Sequence, residues 1–156
     1  MVGKELMGIV IDDMKVEDLP EIVNIEAASF TTPWSATLFY NEIRKLIAVS
    51  RVAKIDGKVV GYLCANLIID EGHILNLAIH PQYRRLAIAS SLIKEMIGIM
   101  RDGNCRSVFL EVRISNEQAR IMYEKFGFKL LGTRKNYYIS PVEDAVVMVL
   151  RLTQPA

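Results

Sequence analysis

The stretch that decides the fold is NLAIHPQYRRLAIASS at residues 76–91. An apolar strand ending at Ile79 runs into a basic turn with small residues, and a helix then begins at Ile88. Small residues let backbone N–H groups approach an anion, the N-terminus of the helix directs positive charge toward it, and Arg84 and Arg85 add charge. The pattern predicts a phosphate cradle with a pyrophosphate as its ligand, and a solvated helix start is the alternative.

A second informative stretch is LEVRISNEQARIMYEKFGF at residues 110–128. It reads as a strand, an N-cap at Ser115, an amphipathic helix and then Gly127 just after the last helical turn. The two stretches together predict strands that alternate with helices, which is typical of α/β domains.

The remaining pattern extends the same architecture. A hairpin is predicted at Asp56-Gly57, and Ser35 is predicted to cap a helix that runs to about Lys45. Strands are expected at 8–13, 47–55, 58–67, 73–80, 105–113, 128–135 and 145–152. The other three helices are expected directly after the first strand, at 88–100 and at 116–125. We therefore expect a mixed α/β sheet with about seven strands and four helices in one domain spanning residues 1–156.

Composition narrows the classes of partner. The chain has 156 residues and a net charge of +1 with its charges scattered, which argues against a nucleic-acid surface or a polybasic membrane patch. Cys64 and Cys105 form no ligand pattern, so two buried free thiols and no metal are expected. No signal peptide is recognisable, and the apolar run at 59–69 falls short of the roughly 18 residues of a spanning helix. We expect a cytoplasmic protein, monomeric by default.

The turn at residues 84–89 resembles the pyrophosphate loop of the GNAT superfamily of N-acetyltransferases, whose pattern is Q/R-x-x-G-x-G/A. Ala87 stands where that family usually has glycine, so we expect the backbone there to avoid a positive φ and the cofactor contact to be reshaped but kept. The resemblance implies a GNAT fold in which the strand at 76–79 and the strand at 108–113 splay apart around the pantetheine arm of acetyl-CoA.

Within that superfamily, nearly the whole chain resembles the RimI-type protein N-terminal acetyltransferases. The motifs are LEVRISN at 110–116, MYEKFGF at 122–128, NYY at 136–138 followed by EDA at 143–145, and FTTPWS at 30–35, which is similar to the bacterial ribosomal-protein-alanine branch. The segment 72–74, GHI, is also similar to archaeal and eukaryotic N-terminal acetyltransferases. The resemblance implies acetyl-CoA as the donor, no metal, and the N-terminus of a protein, a ribosomal protein in one branch, as the acceptor.

Three catalytic residues follow from the resemblance. Glu111 lies in an apolar strand where burial would raise its pKa toward that of a useful general base; a carboxylate on a polar strand face, or one paired with Arg113, is the alternative. Tyr123 matches the position of the general acid, although a core aromatic would have the same spacing. His73 is a candidate auxiliary base or an ordinary strand-edge residue, and His80 is expected to be a turn residue without a role.

The resemblance also implies binding residues. Those for the cofactor are Leu77, Ala78 and Ile79 through backbone N–H groups, Arg84, Arg85, Leu86, Ala87, Ile88, Ala89 and Ser90 around the phosphates, and Asn116 on the cofactor arm, which could instead be a helix cap. Those for the acceptor are Phe30, Pro33, Trp34, Tyr137 and Tyr138, with a core Trp34 and loop tyrosines as the alternative.

Three other functions remain open from the sequence. The same fold could acetylate lysine or a small amine, or it could bind acetyl-CoA without turnover, for which Ala87 is the only hint. A structural ribosome-associated protein would need a basic face that the near-neutral charge does not provide.

Overall fold

A computed structural model describes residues 8–84 and 87–152 of the chain. Seven strands are present among these residues: β1 (Ile9–Asp13), β2 (Arg51–Ile55), β3 (Lys58–Ile68), β4 (Glu71–Ile79), β5 (Ser107–Arg113), β6 (Lys129–Ile139) and β7 (Val142–Arg151). The α-helices are α1 (Leu19–Ser29), α2 (Ala36–Ile43), α3 (Ile88–Asp102) and α4 (Glu117–Lys125), and two short 3-10 helices lie at Val16–Asp18 and Pro81–Tyr83.

The strands form one sheet in the order β1-β2-β3-β4-β5-β7-β6. Every neighbouring pair is antiparallel except β4 and β5, which are parallel and are joined by a crossover through α3, as a parallel connection requires. The β2–β3 turn has positive φ at Asp56 (51°) and Gly57 (77°), which suits a tight hairpin. The predicted mixed α/β sheet of seven strands and four helices is confirmed.

The helices cover opposite faces of the sheet. Side chains of α3 pack with Leu63 and Ala65 of β3 in the larger core cluster, whereas side chains of α1 pack with Tyr62 and Cys64 in the smaller one. Because successive strand residues point to opposite faces, α3 and α1 lie on opposite sides. We call these the α3 face and the α1 face.

The sheet opens between β4 and β5. Their described ladder contains three pairs, Glu71 with Ser107, Gly72 with Val108 and His73 with Phe109, although both strands continue well beyond them. A register shift in the β3–β4 ladder makes Leu75 an extra residue in β4, and such a bulge bends its strand. The predicted splay is therefore confirmed, and it leaves a gap in the middle of the sheet.

Several predicted boundaries were wrong. Strand β2 begins at Arg51 because Ala48 forms only an isolated bridge with Asn66. Strands β6 and β7 are longer than predicted because they pair through to their shared turn, where Ile139 lies opposite Val142. The N-cap of α4 is Asn116 and not Ser115, whose backbone N–H donates to Glu143 instead at 2.6 Å.

The helices can also be compared with the length and apolarity of a membrane-spanning helix. In residues 8–84 and 87–152, none combines the length and the apolarity needed to cross a membrane.

Candidate active site

Two predicted catalytic residues meet at the open end of the β4–β5 ladder. The His73 Nε2 atom lies 2.8 Å from the Glu111 Oε1 atom. Leu110 and Val112 belong to the α3-face core, so Glu111 between them points to the α1 face. The two strands bring together residues that are 38 positions apart, and the pair faces the side on which α1 and α2 lie.

The electrostatics of Glu111 differ from the prediction. Its pKa is lowered, chiefly because His73 donates a hydrogen bond to the carboxylate; partial burial opposes this effect, and the charges of His73 and Arg134 and a hydrogen bond from Tyr137 reinforce it. The prediction that burial would raise the pKa was wrong because it did not include these partners. The predicted alternative of an ion pair with Arg113 is also wrong, since Arg113 pairs with Glu143 at 3.1 Å.

Tyr123 lies on the other side of the sheet. It is buried in the α3-face core, with its ring centroid 5.5 Å from that of Phe128. Burial raises its pKa, with a further contribution from Tyr138. A tyrosine hydroxyl is protonated at neutral pH even at its ordinary pKa of about 10, and this is the form that a general acid needs.

Tyr138 interacts electrostatically with groups on both faces of the sheet. The pKa of Tyr138 is raised to about 12, chiefly by burial and in addition by the nearby Tyr137 and Glu111. The guanidinium of Arg113 lies 4.3 Å from the centre of its ring. Tyr138 is half-buried and interacts electrostatically with both Glu111 and Tyr123.

The predicted phosphate cradle has an unusual backbone at its centre. Ala87 is the N-cap of α3 and has φ 62° and ψ 19°, in the left-handed region. The prediction that Ala87 would avoid a positive φ was wrong: the turn into α3 keeps the geometry that glycine adopts freely, and alanine pays a strain of about 1 kcal/mol for it. Arg85 and Leu86 lie outside the described residues.

The other predicted cofactor residues are arranged unevenly. Arg84 is exposed and donates to the Ile79 carbonyl at 3.2 Å and to the Ser29 hydroxyl at 3.4 Å. Ile88 is buried in the core, so only its backbone faces the turn, and Ala89 and Ser90 are half-buried in the first turn of α3. The Asn116 side chain caps α4 by accepting the N–H of Ala119 at 3.3 Å, as the predicted alternative stated.

The three predicted backbone donors do not all face the gap. The N–H of His80 donates to Val60 in β3 at 2.8 Å, and N–H directions alternate along an antiparallel strand. The N–H of Ala78 is therefore directed toward β3, whereas those of Leu77 and Ile79 are directed toward β5. Two of the three groups can donate to a ligand in the gap.

The predicted acceptor residues form a rim on the α1 face. Phe30, Pro33 and Tyr137 are exposed, and Tyr138 is half-buried. Trp34 packs its ring 5.1 Å from that of Phe39 and contacts the smaller core, so the core alternative holds for this residue while its backbone stays in the loop. The rings of Tyr137 and Tyr138 meet edge to face at 5.0 Å.

A network that the sequence did not predict joins the two sides of this rim. The Arg113 guanidinium donates to the carbonyls of Ser140 and Pro141 in the β6–β7 turn, and the Thr31 hydroxyl donates to the same Ser140 carbonyl. The only available signal was the occurrence of Arg113 and Glu143 in quoted motifs, and no pattern indicated that they would pair. The network closes the rim over the α1 face.

The arrangement offers a proton acceptor on one face of an open sheet and a proton donor on the other. Within the described residues, no group of three or more His, Cys, Asp or Glu side chains could hold a metal ion. Cys64 and Cys105 are both buried, as predicted, and burial raises the pKa of the Cys64 thiol to about 12. The site is therefore suited to moving protons around a group that reaches through the gap.

Comparison with known proteins supports this geometry. The model of the acetyltransferase (GNAT) family matches residues 19–128. A candidate ribosomal protein bS18-alanine N-acetyltransferase of Bacillus subtilis (strain 168) is 36% identical over 91% of this chain and 95% of its own length. An N-alpha-acetyltransferase of Sulfurisphaera tokodaii is 30% identical over 96% of this chain and 95% of its own.

The fold comparison agrees with the sequence comparison. The crystal structure of the ribosomal-protein-S18-alanine N-acetyltransferase from Escherichia coli superposes with a TM-score of 0.89 and 27% identity, covering 95% of this chain and 96% of that one. The family match spans most of the chain, and the open β4–β5 ladder is the splay that the resemblance implied. The chain belongs to the GNAT family of acetyltransferases.

Proposed function

We propose that this protein transfers the acetyl group of acetyl-CoA to the free N-terminal amine of a protein, by direct attack in a ternary complex. The observation that carries the proposal is the His73–Glu111 pair, 2.8 Å apart on the α1 face at the edge of the β4–β5 gap, with Tyr123 on the opposite face. The names of the relatives from B. subtilis and S. tokodaii support an N-terminal amine as the acceptor.

The residues around the gap fit acetyl-CoA, which when bound supplies an acetyl group on a thiol that can leave. The N–H groups of Leu77 and Ile79 are directed at the gap and can donate to carbonyl oxygens of an extended ligand. The turn at Ala87 and the N-terminus of α3 suit a pyrophosphate, because backbone N–H groups and the helix dipole both favour an anion. Arg84 adds positive charge beside this turn.

The His73–Glu111 pair removes a proton from the attacking amine. An N-terminal amine has a pKa near 8 and a lysine amine one near 10.4, so presenting the neutral form at pH 7 costs about 1.4 kcal/mol for the first and about 4.6 kcal/mol for the second. Because the pKa of Glu111 is lowered, the pair is a modest base. A modest base matches the N-terminal amine better than the lysine.

Tyr123 supplies the proton to the departing sulfur. As the amine nitrogen bonds to the acetyl carbon, the carbon–sulfur bond breaks and the sulfur takes up the electron pair. The phenol of Tyr123 is protonated at neutral pH and can donate its proton to the sulfur. The proton lost by the amine and the proton gained by the sulfur are thus handled on opposite faces of the sheet.

The rim on the α1 face suits an extended peptide. Phe30, Tyr137 and Tyr138 offer aromatic surface with polar tips, which can pack on a chain and also hydrogen bond to it. The α1–α2 loop and the β6–β7 turn meet through the hydrogen bond from Thr31 to Ser140, and together they form the side of the rim along which we propose that the N-terminal segment lies.

The test is acetylation of short peptides beginning with Ala, Ser or Met-Leu, alongside one with a blocked N-terminus and an internal lysine. The Ala peptide should carry the first residues of a ribosomal protein, because the B. subtilis relative is described by such an acceptor. We expect acetyl groups only on free N-termini. Modification of the blocked peptide alone would assign a lysine acetyltransferase, and cofactor binding without turnover on any peptide would indicate a binding module.

A further inference from the structure

A buried carboxylate that the proposed chemistry does not use lies beneath the acceptor rim. Glu26 of α1 has 1% of its surface exposed. We propose that Glu26 is a positioning residue that holds the α1–α2 loop (residues 30–35) against β4, and thereby sets the affinity for the acceptor peptide. The kinetic part of this inference rests on the proposed function.

Three donors from three separate segments converge on this carboxylate. The backbone N–H of Trp34 donates to Oε2 at 3.0 Å. The side-chain amide of Asn76 donates to Oε1 at 2.7 Å, and the hydroxyl of Tyr62 donates to the same oxygen. Glu26 therefore joins the loop, strand β4 and strand β3 at one point.

The chemistry of the three partners calls for a carboxylate. An ionised carboxylate only accepts hydrogen bonds, and all three partners are donors. Burial and the bond to Glu26 raise the pKa of Tyr62, so its hydroxyl keeps the proton that it donates. A glutamine would turn an NH₂ group toward one of the donors, which would leave a buried donor unpaired.

The contacts of Glu26 with Trp34 and Asn76 connect the α1–α2 loop to the His73–Glu111 pair. Trp34 lies in the loop whose Thr31 also donates to Ser140 across the rim. Asn76 directly follows the bulged Leu75, where β4 departs from β5. A shift of the loop relative to Asn76 would move the rim away from the His73–Glu111 pair, because that pair lies at the same edge of the gap.

The chain provides a matched control. Glu42 of α2 is also a buried carboxylate, with 7% of its surface exposed. Its Oε2 atom pairs with Lys45, just after the end of α2, at 2.8 Å, and Oε1 has no hydrogen-bond partner among the described residues. Replacing Glu42 by glutamine tests the loss of a buried charge without touching the Trp34 or Asn76 contacts.

The chain also provides a reporter that is independent of activity. Trp34 is the only tryptophan among the 156 residues, and it is half-buried beside Phe39. Its fluorescence therefore reports the environment of the loop directly, whatever the acceptor is.

The experiment compares Glu26→Gln, Asn76→Ala and Glu42→Gln with the unaltered chain, using the Trp34 emission maximum, acrylamide quenching and steady-state kinetics. For Glu26→Gln we expect a red-shifted, more strongly quenched emission and a rise of about tenfold in the KM for peptide, the usual scale for an unpaired buried donor. The kcat and the KM for acetyl-CoA should change less than about twofold on the same scale. Asn76→Ala should show the same pattern more weakly, and Glu42→Gln should leave emission and peptide KM unchanged.

The outcomes separate the inference from the proposed function. Unchanged Trp34 emission in Glu26→Gln and Asn76→Ala, or an equal shift in Glu42→Gln, would overturn the inference. A loss confined to kcat would also overturn it. If Glu26→Gln does not fold, Asn76→Ala decides alone, since it removes one contact and keeps the carboxylate. Absence of N-terminal acetylation by the unaltered chain would refute the proposed function and leave the fluorescence test valid.

Discussion

The two faces of the sheet differ in the kinds of side chain that they bury. On the α3 face, the core cluster is made of aliphatic, methionine and aromatic side chains together with Cys105, and Tyr123 contributes the one hydroxyl in it. The segment before β2, which includes α1 and α2, contains all four buried polar or charged residues found in the described part of the chain, Asp18, Glu26, Glu42 and Ser50. The first face gains its stability from apolar burial, and the second combines a smaller core with hydrogen bonds to carboxylates.

This difference teaches where fold and function reside. Apolar burial is non-directional and tolerates many residues of similar volume, so the α3 face can support the sheet without defining a site. Buried carboxylates are stabilised by specific donors, and on the α1 face Glu26 accepts hydrogen bonds from the α1–α2 loop, β3 and β4. The β4–β5 gap is the place where the two faces communicate.

The largest effect is expected when the proposed catalytic pair, His73 and Glu111, is disrupted on the α1 face. Glu111→Gln should lower kcat for peptide acetylation by about 10²–10⁴-fold, the range attributed to general acid–base catalysis, while acetyl-CoA binding measured by calorimetry stays unchanged. Glu71→Gln, an exposed carboxylate at the start of β4, serves as the control. An equal loss in both variants would show that the effect is not specific to the pair.

The next largest effect concerns the apolar face alone. Leu92→Ala in α3, a fully buried position, should lower the free energy of unfolding by about 2–5 kcal/mol because it leaves a cavity. The KM for peptide should not change, since the loop is held from the other face. Denaturant unfolding and kinetics on the same sample measure both quantities, with the exposed Leu46→Ala as the control. A rise in peptide KM would contradict the division between the faces.

A smaller effect appears as a dependence of stability on pH. The pKa of Glu111 is lowered in the folded state, so its contribution to stability is present above the unfolded pKa of about 4.3 and is lost as the pH falls through the folded value. The stability advantage of the unaltered chain over Glu111→Gln should therefore shrink between about pH 5 and about pH 3. Urea unfolding across this range measures it, and a constant difference would argue against the His73 contact.

The smallest expected effect lies in the turn before α3. Ala87→Gly should raise the free energy of unfolding by at most about 0.5 kcal/mol, because relief of about 1 kcal/mol of left-handed strain slightly exceeds the roughly 0.5–1 kcal/mol of added unfolded-chain entropy. Ala87→Val should lower it, since a branched side chain is strongly disfavoured at positive φ. Thermal unfolding of both variants is the measurement, and stabilisation by valine would contradict the observed backbone.

The sequence was sufficient for the fold because its signals are local. The Asp56-Gly57 turn and the Ser35 cap each depend on a few neighbouring residues, and both are confirmed. The end of β6 was missed because three residues around Asn136 lie outside the regular ladder, and period-two alternation breaks at such a shift.

The site was predicted less completely because its physics is long-range. The pKa of Glu111 depends on His73, which is 38 positions away, so burial alone gave the wrong direction. Glu26 was not singled out, because its partners Trp34, Tyr62 and Asn76 come from three segments that meet only in the folded chain. For Asn116 the difficulty was the reverse: its motif matched a cofactor-binding role in the family, whereas the contact present in the structure is a helix cap.

The most direct test of the division of labour is the rate of peptide acetylation from about pH 6 to about pH 9 in Glu111→Gln and Tyr123→Phe. As the pH rises through the N-terminal pKa of about 8, the amine loses its proton to the solvent and no longer needs the base. The rate of Glu111→Gln should therefore recover toward that of the unaltered chain. Tyr123→Phe should remain a constant fraction of that rate, because its defect lies at the sulfur. Parallel profiles for the two variants, or recovery of Tyr123→Phe alone, would contradict the assignment of the amine and the sulfur to opposite faces of the sheet.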